Sequence, residues 1–170
     1  ALQSTLSIED HSSCNFKMIE KSNFIVDQGL KVIKKNIVFE DNYWKISASH
    51  DGYLQKFGCI HEREIEFYPE QNKFVGFDKI LRKDINKKVK FDIRFHLHPN
   101  TKVMKTQDNK SILIELEGEG WRFSCDKFDI NIDNGLYFGN KNSYKQNQNI
   151  FVSGINDEAE KIIKWEITKL

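Results

Sequence analysis

Apolar and polar residues alternate with a period of two along most of this chain, the pattern of strands with one buried and one wet face. In VKFDIRFHL the residues Val89, Phe91, Ile93, Phe95 and Leu97 share one face, while Lys90, Asp92, Arg94, His96 and His98 share the other. SILIELEG sets Ile112, Ile114 and Leu116 on one side, and WRFSC does the same with Trp121, Phe123 and Cys125. KFDINID aligns Phe128, Ile130 and Ile132, and the closing IIKWEI aligns Ile163, Trp165 and Ile167. Turn-forming clusters separate the runs: EDN at 40–42, PEQN at 69–72, HPN at 98–100, QDN at 107–109, GEG at 118–120 and IDNG at 132–135. Many short strands joined by polar turns suggest an antiparallel sandwich or barrel. We expect an all-β fold, a multi-stranded antiparallel β-sandwich of two stacked sheets with little or no helix. In NDEAEKIIKW (156–165) a helical turn competes, but its second half alternates better as a strand. The basic segment 79–94, KILRKDINKKVKFDIR, reads as a solvated strand–turn–strand edge.

Length and composition narrow the class. A chain of 170 residues is one domain's worth, so 1–170 is expected to form a single sandwich. The formal net charge is only +1, with 30% charged residues, which argues against a nucleic-acid module. Thirteen Phe, five Tyr and three Trp predict an aromatic-rich core. No run approaches the roughly 20 apolar residues of a membrane span, and no signal peptide is visible at the start. The chain opens without Met directly on the strand-like ALQSTLSIED, which suggests a C-terminal piece of a longer protein. Cys14, Cys59 and Cys125 are odd in number and widely spaced, so neither a disulfide framework nor a zinc motif is indicated.

Three constellations could carry chemistry. His96 and His98 stand two residues apart on one strand, about 6.5–7 Å along it, within reach of one metal if a third ligand came from elsewhere. Read structurally, they are polar punctuation at a sheet margin that Pro99 closes. In CIHEREIEFY the residues Cys59, His61, Arg63, Ile65 and Phe67 share a face opposite a glutamate row, which turns His61 and Arg63 inward. A buried cation needs a partner, and Asp51 or Asp78 could supply it. The alternative is a substrate-facing Arg63 whose planar fork clamps a sugar carboxylate. Finally, SHDGY combines His50, Asp51 and Tyr53 around Gly52. His and Tyr suit proton abstraction beside a carboxylate and protonation of a leaving oxygen, but a plain Asp51-Gly52 turn with Tyr53 packed beneath it is the favoured reading.

Taken in order, HDGY, IHEREIEFYPEQNKFVGFDKIL, IRFHLHPNTKV, EGWRF, LYFG and QNIFVSG resemble the C-terminal β region of bacterial heparinase II/III-like proteins. The likeness runs from about residue 2 to 167, with HDGY, HER and FHLHP its most specific pieces. It implies a polysaccharide lyase in which an N-terminal helical toroid precedes the β-sandwich and an acidic polysaccharide binds between them. The implied chemistry is β-elimination: the uronate carboxylate is neutralised, a base takes the adjacent proton, and the glycosidic oxygen leaves. The resemblance also implies that the toroid brings Asn, Tyr and much of the sugar-binding surface, and that a His-rich segment entering the β region brings another His and, in some members, zinc ligands. It further suggests a bacterial periplasmic or envelope location. Where relatives often carry His before Ser-Thr, this chain has Gln3, which is a poor zinc ligand and cannot act as a base. No catalytic residue, metal or cofactor is therefore assigned to this chain, and zinc is left to the intact protein. His50, Tyr53, His61, Arg63, His96 and His98 remain as candidates for substrate contact.

Three functions follow from these readings. The chain is one wall of a lyase cleft; or a glycan-binding sandwich using aromatics such as Trp44, Tyr53 and Trp121; or a scaffold that docks the toroid and leaves an apolar patch on the cut surface.

Overall fold

The computed structural model describes residues 4–20, 23–125, 127–140 and 143–170. Fourteen strands are found among them: β1 Leu6–Ile8, β2 Asn15–Glu20, β3 Asn23–Gln28, β4 Val32–Glu40, β5 Tyr43–Tyr53, β6 Cys59–Tyr68, β7 Lys73–Arg82, β8 Val89–His96, β9 Lys102–Lys105, β10 Ser111–Leu116, β11 Glu119–Ser124, β12 Ile130–Asn140, β13 Ser143–Asn156 and β14 Glu160–Lys169. One helical turn, α1 Leu54–Phe57, and a 3-10 turn at Pro69–Gln71 are the helical segments described. The expected all-β antiparallel sandwich is the observed fold. A large sheet of order β4-β5-β6-β7-β14-β11-β10-β9 faces a smaller one of order β1-β8-β13-β12, while β2 and β3 form a separate hairpin.

The period-two pattern explains why these strands stack. Phe91, Ile93 and Phe95 of β8 and Ile150 and Val152 of β13 point inward from the small sheet. They meet Ile80, Ile112, Phe123, Ile163 and Trp165 of the large sheet in one shared core. Phe95 sits at its centre, 4.8 Å from the rings of both Phe123 and Trp165. The competing helical turn at 156–165 is resolved in favour of a strand. Glu160–Lys169 pairs with both β7 and β11, which buries Ile163 and Trp165.

Three local expectations are corrected. IDNG (132–135) is not a turn but lies within β12, in register with Asn147–Ile150 of β13. Its glycine serves close approach: a Cβ at Gly135 would fall 2.3 Å from the Asn149 side chain. Asp51-Gly52 is likewise no corner. It lies inside β5, where the pairing with β6 slips between His50 and Tyr53, and a Cβ at Gly52 would meet Ser13 O at 2.4 Å. The basic segment 79–94 is not a sheet edge either, because β7 and β8 are both flanked on two sides and the solvated part is the link 83–88.

Candidate functional site

Register brings the inward-facing polar residues of β5, β6 and β7 together. His50 pairs with His61, and Arg63 pairs with Asp78 one step further along the same face. Residues directly opposite in an antiparallel pair share a face, so these four side chains form a patch pressed toward the small sheet. Trp165, on β14, joins it because β14 pairs with β7 two residues from Asp78.

Asp78 is the hub and is fully buried. Its Oδ1 accepts from His61 Nε2 at 2.7 Å and Arg63 Nε at 2.8 Å, and its Oδ2 from Arg63 Nη2 at 3.0 Å and Trp165 Nε1 at 2.9 Å. Burial works to raise the carboxyl pKa, but the Arg63 charge and the His61 hydrogen bond outweigh it and hold the group down at about 2. The two-point Arg63–Asp78 contact is a charge-assisted fork. The guanidinium also lies 5.9 Å from the rings of Phe95 and Trp165.

A chain of hydrogen bonds runs outward from this hub. Gly52 N–H donates to His50 Nδ1 at 3.2 Å, which leaves the His50 proton on Nε2 to be donated to His61 Nδ1 at 3.1 Å. His61 then carries its own proton on Nε2, facing Asp78. Burial, with His61 alongside, lowers His50 to about 4, so it is neutral at pH 7. Tyr53 is buried and its hydroxyl donates to Leu6 O at 2.7 Å; burial raises its pKa to about 12. Arg63 Nη1 reaches Ser4 O at 2.6 Å. The cluster therefore clasps β1 from below.

This geometry decides what the group can do. Both His50 nitrogens and both His61 nitrogens are engaged with protein, and both Asp78 oxygens already accept two hydrogen bonds each. Neither histidine offers a lone pair or proton to a substrate, and Asp78 has its oxygens occupied, while Arg63 has three of its five N–H protons engaged. The donor set does not suit a metal either, since the only carboxylate carries a guanidinium on its two oxygens. Among the described residues no group of three or more His, Cys, Asp or Glu is placed to hold a metal ion. Gln3 lies outside the described residues.

His50, Tyr53, His61 and Arg63 are thus brought together, and of the two partners considered, Asp78 is the one used. Asp51 instead accepts from Lys31 N at 2.7 Å. The two remaining candidates lie at the margin of the small sheet, His96 as the last residue of β8 and His98 just beyond it. β8 ends at His96, whose backbone N–H donates to Ser4 Oγ at 2.9 Å. His98 is exposed in the turn beyond it; its Nδ1 accepts from Asn100 N at 3.3 Å and its ring meets Tyr137 edge-on at 5.4 Å. Leu97 N–H still donates to Gln148 O at 3.1 Å and its side chain packs against the core, so the alternation reaches 97 before Pro99 closes it. The contribution that sequence reasoning missed is Trp165, whose indole N–H is committed to Asp78. Its apolar alternation marked it as core and carried no sign of the polar contact.

A recess of about 430 Å³ opens beside Asp51 and Gly52, lined among others by His11, Ser13, Asn15, Gln28, Lys56 and Phe57. It is more polar than the core beneath it. The His11 and Phe57 rings meet edge-on at 5.3 Å on its wall.

Comparison with known proteins places this geometry in context. The family model described as Heparinase II/III-like, C-terminal, matches residues 1–166. The chain is similar to FtsZ-localized protein C of Caulobacter vibrioides, 27% identical over 179 residues, covering 98% of this chain and 31% of that protein. Among solved structures, the heparan sulfate lyase HepC of Pedobacter heparinus superposes with a TM-score of 0.75 at 10% identity, over 99% of this chain and 24% of that one. A heparinase III superposes with a TM-score of 0.66 at 15% identity, over 98% of this chain and 23% of that one. The chain thus spans about a third of the length of the curated relative and about a quarter of the solved ones.

Proposed function

Because this chain belongs to the heparinase II/III-like C-terminal family, we propose that it is the C-terminal β-sandwich of a polysaccharide lyase. The intact protein cleaves uronic-acid-containing glycans by β-elimination, and this sandwich supports the glycan cleft from one side without supplying the main catalytic groups. The observation that carries this reading is the family match over residues 1–166, joined to a cluster whose histidines are spent on holding the sandwich together and whose arginine is forked on a buried carboxylate. Catalytic side chains and any zinc belong, on this reading, to the toroid and the segment entering the sandwich. An acidic polysaccharide is the substrate class, and the bacterial periplasm or envelope is the compartment.

The test is a lyase assay of the full-length protein on a panel of heparan-, chondroitin- and alginate-type glycans. It follows the ultraviolet absorbance of the unsaturated uronate that β-elimination leaves. A rise on at least one glycan is expected; no rise on any sinks the reading.

A second reading is a non-catalytic sandwich that binds glycan or docks another domain. The polar recess beside Lys56 and Phe57 favours it, as does a relative named for where it localises and not for cleavage. Isothermal titration of acidic oligosaccharides with the full-length protein separates the two: binding without any turnover favours the second.

A further inference from the structure

The inner face of the large sheet extends past the small sheet that covers it. β1, the edge of the small sheet, lies over β5 and β6, where Tyr53 holds Leu6 O and Arg63 holds Ser4 O. Beyond that line the same face continues through two cross-strand rows set by register, Ile37–Ile46–Ile65 and Phe39–Trp44–Phe67. Their inner members pack: Ile65 joins the core, and Trp44 and Phe67 lie 5.4 Å apart. Their outer members do not, with Ile37 59%, Ile46 45% and Phe39 81% exposed. Core-type residues in contiguous rows, open to water on the face a sandwich ordinarily buries, mark an interaction surface.

We propose that this shelf is the seat of the region that precedes Ser4 in the longer protein, an inference that rests on reading the chain as the C-terminal part of a lyase. Direction is the first argument. Going back from Leu6 to Ser4, the chain passes from the Tyr53–Cys59 pair to the Ala48–Arg63 pair of the sheet beneath. The next two rows along that line are the shelf, so at Ser4 the chain stands at its border. Length is the second. The chain covers 24% of HepC and 31% of the Caulobacter relative, so the greater part of each lies outside the shared region. A second copy is the poorer occupant, because the exposed edge strand β4 carries Lys34 and Lys35 at its middle, and pairing it with itself brings like charges together.

Hydroxyl-radical footprinting of the full-length protein, read by mass spectrometry, tests the assignment without any glycan. Each rate is normalised to the residue's intrinsic reactivity, with Met104 (64% exposed) and fully buried Phe123 as the open and closed references. Phe39 is expected to oxidise about tenfold more slowly than its 81% exposure in this chain implies, at a level near Phe123. Ile46→Asp in the full-length protein is expected to restore most of that rate while Phe123 stays closed. Oxidation of wild-type Phe39 at the rate of an open phenylalanine overturns the proposal. So does protection that Ile46→Asp leaves unchanged, or protection that grows with protein concentration, which assigns the shelf to a second copy. An inactive protein with a protected Phe39 would refute the lyase reading and keep the docking seat.

Discussion

Replacing Asp78 by Asn changes one oxygen for one amide and removes the charge at the centre of the sandwich. In the folded protein four donors converge on that carboxylate: two from Arg63, one from His61 and one from Trp165. The fall in its pKa from 3.8 to about 2 corresponds to about 2 kcal/mol of preference for the charged form. The amide also turns one accepting oxygen into a donor facing donors, and Arg63 loses its counter-charge while three-quarters or more buried. Breaking a buried pair from one side costs roughly 3–5 kcal/mol. That is a large part of the roughly 5–15 kcal/mol that holds a domain folded. At about 2–4 °C per kcal/mol for a chain of this size, the melting temperature should fall by roughly 6–20 °C. Thermal and urea denaturation of wild type and Asp78→Asn, followed by tryptophan fluorescence, measure both quantities. The double variant Asp78→Leu with Arg63→Met should be less damaged than the sum of its two single changes, because it removes both charges together. If Asp78→Asn unfolds within about 1 kcal/mol of wild type, less than the cost of one unsatisfied buried group, the hub assignment is wrong.

His50 gives the protein an acid-labile limb. Its folded pKa of about 4 lies below the ordinary 6.5, so the unfolded chain binds the proton first; stability is complete above pH 6.5 and falls between there and pH 4, by up to about 3 kcal/mol. Denaturation midpoints taken across that range should slope for wild type and flatten in His50→Gln. Asp78 follows the same logic at lower pH, because its folded pKa is also depressed: its stabilisation is present above about 3.8 and disappears as pH falls through 2, so Asp78→Asn should leave the slope above pH 4 unchanged. Tyr53→Phe leaves Leu6 O without its buried donor and should cost about 1–2 kcal/mol, with faster amide exchange confined first to β1. Gly76→Ala places a methyl 2.0 Å from the Trp165 ring; it should destabilise by about 1–3 kcal/mol or more and shift the tryptophan emission, and an unchanged spectrum would contradict the packing.

How far the sequence could be read depended on the range of the force involved. Strand alternation is local, so β8, β10, β11 and β14 were legible from residues a few positions apart. The partner of His61 and Arg63 needed only one further step, because a buried cation demands a carboxylate and Asp78 was one of two candidates. What could not be read was set by contacts distant in sequence. Gly135 and Gly52 look like turn residues, yet they sit in strands because Asn149 and Ser13 occupy the space of a Cβ. Trp165 serves Asp78 across 87 residues of chain. His98 falls just beyond the end of β8, next to Pro99, a backbone boundary that alternation alone does not mark.

Histidine, tyrosine and arginine gathered within a few ångströms resemble the equipment of an eliminating enzyme, and the difference lies in what their polar atoms face. A general base needs an unspent lone pair directed at a space that a substrate can enter. His50 is neutral, as a base must be, yet its Nδ1 is taken by Gly52 N–H and its Nε2 proton is given to His61. Tyr53 would have to lose a proton held to about pH 12 and already given to Leu6 O. Arg63 could turn its Nε–Nη2 edge to a sugar carboxylate only by releasing Asp78, which would strand a buried charge at a cost of several kcal/mol. The same bonds that disarm these groups tie β1 to the large sheet at Ser4 and Leu6, where the chain enters the sandwich. Their polar atoms are therefore spent on holding β1 and Ser4 against the large sheet, and a lyase built on this sandwich would have to take its base from outside this cluster.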